Sequence, residues 1–183
     1  MPRITHEAAG GLNVCAFLDM LAVSEIGEAM LATSNDGYDV LVGSLPGAMR
    51  LFSDYSDHPL PRGHAIEYRP GLWSTAAGRY QILSRYWPHY RDQLNLPDFG
   101  PESQDRYAIQ QVKEQRALPL IQGGEFVQAV DRCRNIWASL PGAGYGQHEN
   151  SLEKLAAAYV AAGGRMAGDS LHWYNEVVKE RSS

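Results

Sequence analysis

Of the 21 acidic residues in this chain, Glu25 is the one whose surroundings would most alter its chemistry. It ends the run Ala16-Phe17-Leu18-Asp19-Met20-Leu21-Ala22-Val23-Ser24-Glu25, which has the composition of a single helix. At about 100° per residue Glu25 projects between Leu21 and Leu18, flanked by Phe17 and Ala22. A carboxylate held against apolar side chains is costly to ionise, so its pKa is expected to rise toward neutrality. Such a group keeps a proton at physiological pH and can give it to a leaving group. The competing reading is a solvated glutamate at a helix end, since Gly27 lets the chain leave the helix just beyond.

The other reactive residue types form no compact set. Cys15 and Cys133 have neither metal-ligand spacing nor a disulfide pattern, and both sit among apolar neighbours as expected for buried free thiols. Six scattered histidines make no HExxH pattern, so no metal and no cofactor are expected. The formal net charge of -5 argues against a nucleic-acid partner, which needs a basic face to displace counterions. Arg79, Arg85 and Arg91 recur at helical spacing and read as a solvated stripe. No run approaches the roughly 20 apolar residues of a membrane span, and stable membrane insertion is not expected. The N-terminus lacks the charged-then-apolar layout of a secretory signal, which implies synthesis and folding in a cytoplasm.

Length and composition suit one catalytic domain with small appendages: 183 residues, 44% hydrophobic and 20% charged. The expected plan is a flexible N-terminal arm over 1–15, a catalytic domain over 16–166, and a C-terminal helical extension over 167–183. After the helix that ends at Glu25, residues 33–37 read as a turn. Residues 38–42 have strand composition, and 43–61 read as loops with at most one short strand near Leu51 and Phe52. From Thr75 the period becomes helical. Ser74 or Thr75 would cap a helix over 76–94, bent or broken by Pro88. Further helices are expected over 101–115, 118–122, 125–138, 149–162 and 171–179, with Pro101 in a first turn. Phe126, Val130, Cys133 and Trp137 share one helical face, and residues 141–146 must be a glycine loop. Trp73, Trp87 and Trp137 read as core residues. The fold class is therefore α+β and predominantly α-helical, with a small β-hairpin region after the helix that carries Glu25. A site there would have a rigid helix on one wall and loops on the other, suiting a polymer substrate.

Five segments in order carry a resemblance. They are Phe17 to Glu25; Gly37-Tyr38-Asp39-Val40-Leu41-Val42-Gly43; Phe52-Ser53-Asp54-Tyr55-Ser56-Asp57-His58-Pro59; Ser74-Thr75-Ala76-Ala77-Gly78-Arg79-Tyr80-Gln81; and the thirteen residues 135–147, from Asn135 through Tyr145 to Gln147. Together they closely resemble the bacteriophage lambda endolysin family, the lysozyme-like lytic transglycosylases, over about residues 16–164. The resemblance implies a lysozyme-like fold and cleavage of the β-1,4 bond between N-acetylmuramic acid and N-acetylglucosamine in peptidoglycan. It places Glu25 on the family's catalytic glutamate. The implied reaction uses no water: the C6 hydroxyl of the muramic acid attacks its own C1 and leaves a 1,6-anhydro sugar. It also implies a monomer that waits in the host cytoplasm until a holin opens the inner membrane, then acts on the wall from the periplasm.

A tethered nucleophile explains how one acid could suffice, because ordinary glycosidases need two carboxyl groups. In hydrolytic phage lysozymes of the T4 type an Asp lies nine residues after the Glu and a Thr six further on. Here those positions are Ser34 and Val40. Asp36, Asp39, Asp54 and Asp57 remain candidate second carboxylates for a hydrolytic muramidase, against turn and cap roles for each. His58 before Pro59 reads as a structural hydrogen-bonding residue. A non-catalytic wall-binding protein is the third reading. Tyr145 is the leading substrate-binding candidate, since glycines let the backbone approach a sugar and its ring can stack and hydrogen-bond. Gln81, Ser74 and Asp54 are further substrate-binding candidates. Val23 and Ala76 stand where the family carries tryptophan and glycine, and the acidic net charge departs from the family's basic character.

Overall fold

The computed structural model describes residues 1–144 and 149–179, for 178 and 179 the backbone alone. The chain divides into two compact units, Met1–Ser24 with Ala108–Ser183, and Glu25–Tyr107.

The first unit is helical. α1 (His6–Ala9) is a single turn capped by Thr5, whose hydroxyl accepts from Ala8 N at 3.2 Å. It lies inside the segment expected to be a loose arm, and α2 (Leu12–Glu25) starts four residues before Ala16. Val14, Phe17, Leu18 and Leu21 of α2 are all buried, as are Cys15, Ala16, Met20 and Ala22 between them. A helix apolar around most of its circumference belongs inside a core. Toward the C-terminus come the end of α5 (Pro101–Glu114), α6 (Leu118–Gln122), α7 (Phe126–Cys133), α8 (Leu152–Ala161) and α9 (Gly168–Trp173), the last running into a π-helical stretch Tyr174–Lys179. Phe126 links the layers: its ring meets Phe17 edge-on at 6.4 Å and Tyr159 at 4.9 Å. Phe126, Val130, Cys133 and Trp137 are each at most 4% exposed. Both cysteines are free and buried. The segment after Gly164 is tied to α7: Ala167 N donates to Gly124 O at 3.0 Å, and Val127 N donates to the buried Ser170 Oγ at 3.1 Å.

The second unit holds α3 (Glu28–Ala32), the antiparallel hairpin of β1 (Ile66–Arg69) and β2 (Leu72–Ser74), α4 (Trp87–Leu94) and the first half of α5. Its register pairs Ile66 with Ser74 and Glu67 with Trp73, then shifts so that Arg69 faces Leu72. Phe99 is its hub, against Phe52, His58 and Trp87 at 5.9, 4.7 and 4.8 Å.

Four expectations fail in this unit. Residues 38–42 form no strand. Val40 and Leu41 make only isolated bridges, to Leu51 and Ala77, between glycines at positive φ, Gly37 and Gly43. The expected helix over 76–94 begins only at Trp87, with Pro88 in its first turn. The stretch before it is a tight reversal, because Gly78 and Gln81 are left-handed at φ 78° and 50°. Ser74 and Thr75 do cap, but turns: Ser74 Oγ accepts from Ala76 N and Thr75 Oγ1 from Ser84 N, both at 3.1 Å. The arginine stripe dissolves accordingly. Arg79 is 1% exposed and ion-pairs with Asp36 at 2.8 Å, Arg85 lies over the Tyr86 ring, and Arg91 meets Asp57 at 3.0 Å. Trp73, expected in the core, is 62% exposed on β2 of a two-stranded sheet.

Candidate active site

Glu25 is the last residue of α2 and is half-buried, one residue before the buried Ile26. Gly27, at φ 86°, turns the chain out of the helix, so the carboxyl group rides on a rigid element at the point where that element stops.

The site candidates Ser74, Gln81 and Asp54 lie in the same unit as Glu25, and each has a backbone task. Gln81 Nε2 donates to Gly78 O at 2.9 Å and to Val40 O at 3.4 Å, stapling the reversal at 78–81 to the segment around Val40. Ser74 Oγ caps the turn at Ala76. Asp54 Oδ1 accepts from Ser56 N at 2.8 Å, and this bonding to Ser56 holds its pKa below the ordinary 3.8. Tyr145 lies outside the described residues, as do the other loop residues 146–148.

The remaining loop acids are equally engaged. Asp36 pairs with Arg79. Asp39 Oδ1 accepts from Asn35 N at 3.0 Å. Asp57 accepts from Trp87 Nε1 at 2.6 Å, from Arg91 Nη1 at 3.0 Å and from His58 N at 2.8 Å. His58 is structural, as read from the sequence. Its Nδ1 accepts from Leu60 N at 3.1 Å, so Nε2 carries the proton and donates to Ile82 O at 2.8 Å. Burial holds its pKa below 6.5, against the pull of the Ile82 bond and of Asp57.

Two polar clusters were not singled out in the sequence. In the second unit, Asp105 is fully buried and accepts from Tyr38 Oη at 2.8 Å and Tyr80 Oη at 2.6 Å. Burial first, and then the Asp105 charge, push the Tyr80 phenol well above 10. Beside it, Gln104 accepts from Arg79 N at 2.9 Å and donates to Tyr38 O and Phe99 O, fixing the reversal that carries Gln81. In the first unit, the buried Ser24 and Asn150 join with the half-buried Ser139 in one group, with Ser24 Oγ 2.7 Å from Ser139 Oγ. The signal for it was the small polar Ser24 amid apolar neighbours immediately before Glu25. Two carboxylate bonds also brace the glycine loop: Glu149 accepts from Gly142 N and Gly144 N, both at 2.8 Å.

Known proteins are similar to this chain in sequence and in fold. The Endolysin family model matches residues 15–166. The endolysin of Escherichia phage P2 is 57% identical over 167 residues, covering 90% of this chain and 98% of that protein. The endolysin of Escherichia phage lambda is 55% identical over 150 residues, covering 81% and 90%. Among solved structures, bacteriophage lambda lysozyme complexed with a chitohexasaccharide superimposes with a TM-score of 0.76 at 50% identity, over 91% of this chain and all of that one. A second structure of lambda lysozyme gives 0.72 at 49% identity over the same shares. The fold is lysozyme-like, and the chain belongs to the endolysin family as a lysozyme-type enzyme that degrades the bacterial cell wall.

Proposed function

We propose that this endolysin is a lytic transglycosylase that cleaves the β-1,4 bond between N-acetylmuramic acid and N-acetylglucosamine without water, with Glu25 as lone acid and base. The observation that carries the reading is the engagement of the four loop aspartates. Asp36, Asp39, Asp54 and Asp57 each hold a backbone amide or a cationic or indole partner. A second carboxylate for hydrolysis would have to come from residues that already serve turns and ion pairs.

The chemistry then balances on one carboxyl group. Glu25 gives its proton to the glycosidic oxygen as the bond from that oxygen to C1 breaks. The C6 hydroxyl of the same muramic acid forms the new bond to C1, and its proton passes to the Glu25 carboxylate. The acid is restored and no water is consumed. Because the nucleophile is part of the substrate, its attack carries the large advantage of an intramolecular reaction.

Tyr145, Gln81, Ser74 and Asp54 are the proposed glycan contacts. With both Nε2 hydrogens committed to carbonyls, Gln81 would offer its Oε1 to a substrate amide. The chitohexasaccharide in the lambda lysozyme structure supports a glycan strand as substrate. We infer that the chain accumulates in the host cytoplasm and reaches the wall through a holin lesion; no described helix is long and apolar enough to cross a membrane.

Glu25→Gln tests the assignment. Loss of a positioned acid should slow lysis of sacculi by about 100- to 10,000-fold while co-sedimentation with sacculi persists. Lysis at the parent rate would remove Glu25 from the mechanism.

A further inference from the structure

α2 stops at Glu25, so the carbonyls of its last turn have no amide within the helix to receive. The Ser24 carbonyl is one of them, and a side chain 126 residues away answers it. Asn150 Nδ2 donates to Ser24 O at 3.1 Å, and the same nitrogen lies 3.2 Å from Ser24 Oγ and 3.4 Å from Ser139 O. Asn150 N donates to Ser139 O at 2.9 Å, which locks the residue's own backbone to the same strand of chain. Asn150 and Ser24 are 7% and 8% exposed.

Chemistry settles which way the amide faces. Lys154 Nζ, a donor only, sits 2.9 Å from Asn150 Oδ1, so the oxygen points to the ammonium and the NH2 group to Ser24. The ammonium therefore sets the polarity of the whole group. An isosteric aspartate would keep the Lys154 contact but turn a carboxylate oxygen toward two carbonyls.

The clamped carbonyl belongs to the peptide unit that joins Ser24 to Glu25. That unit is planar, so holding its oxygen also holds the Glu25 nitrogen and Cα. We propose that Asn150, oriented by Lys154, is a positioning residue that sets the reach of the Glu25 carboxyl group toward the scissile oxygen. The φ angle and the side-chain torsions of Glu25 then set where its carboxyl group points. The neighbouring Glu149 holds Gly142 N and Gly144 N, so two adjacent residues brace the Ser24 carbonyl and these two glycines. The inference rests on Glu25 being the catalytic acid.

The experiment compares Asn150→Asp, Lys154→Met and Ser139→Ala with the parent, using soluble glycan strands well below each variant's Tm. A misplacement of about 1 Å lowers turnover by roughly 100-fold, so Asn150→Asp should cut kcat about 10- to 100-fold with KM within about threefold. Its kcat–pH profile should also move, because the acid meets a new setting. Lys154→Met, which keeps the amide but lets it turn over, should fall between Asn150→Asp and the parent. Ser139→Ala leaves the Ser24 carbonyl bond in place and should keep kcat within about threefold. A folded Asn150→Asp with parental kcat and pH profile overturns the proposal, as does a loss confined to KM. If Asn150→Asp fails to fold, parental kcat and pH profile in Lys154→Met overturn it. Activity retained in Glu25→Gln would instead defeat the underlying assignment, so the two failures are distinguishable.

Discussion

Replacing Gly78 by alanine should be among the most damaging single-methyl changes in the Glu25–Tyr107 unit. Gly78 sits at φ 78°, and a Cβ built on it would lie 2.2 Å from Gln104 Oε1 and 2.7 Å from its Cδ. Gln104 cannot step aside cheaply. It is fully buried and makes bonds to Arg79 N, Tyr38 O and Phe99 O at 2.9, 3.0 and 2.8 Å. The left-handed backbone costs an alanine about 1–2 kcal/mol. Overpacking adds about 1–3 kcal/mol, and a lost buried hydrogen bond about 1 kcal/mol. The expected total is about 3–6 kcal/mol, or a fall in Tm of roughly 6–24 °C at this chain length. Urea titration of Gly78→Ala, Gln104→Ala and the double variant forms the assay. Removing the Gln104 side chain relieves the clash, so Gly78→Ala should cost only about 1–2 kcal/mol in that background. Equal cost in both backgrounds, or a loss below about 1 kcal/mol in the parent, would refute the steric argument.

Other outcomes follow from the same geometry. The depressed pKa of His58 means the unfolded chain takes up a proton near 6.5 while the folded chain stays neutral, so stability should fall as pH drops below 6.5. His58→Gln can still donate to Ile82 O and accept from Leu60 N, and its Tm should vary less between pH 7.5 and 5.5; an unchanged difference would exclude His58 as the source. The Glu149 pKa is lowered by the amides of Gly144 and Gly142, so its contribution is present above the ordinary 4.5 and lost as pH falls through the lowered value. Glu149→Gln at pH 7 should speed hydrogen exchange at Gly142 and Gly144, because one of two carboxylate acceptors becomes a donor. Unaltered protection at both amides would count against the brace.

The sequence was legible where structure is local. Pro101 falls in the first turn of α5, as its position in the pattern suggests, and the Phe126-Val130-Cys133 stripe is buried. It was opaque where long-range pairing overrides local preference. Arg79 reads as a surface cation until Asp36, 43 residues away, is placed beside it, and the residues around it then abandon the helix their period suggested. The β1–β2 hairpin is too short and too broken in register to leave an alternating pattern. Within the candidate site, the position of Glu25 at a helix end was readable from Gly27 and the apolar run. The Ser24–Asn150 bond was not, because nothing local links residues 126 apart.

The central claim, a single carboxyl group working without water, is tested most directly by its product. Purified peptidoglycan is digested to completion, and the muropeptides are weighed by mass spectrometry before and after borohydride treatment. The account predicts muramic acid ends lighter by one water and inert to borohydride, the mark of a 1,6-anhydro ring. Muramic acid ends of hydrated mass that borohydride reduces would contradict it, and would return one of the loop aspartates to the mechanism.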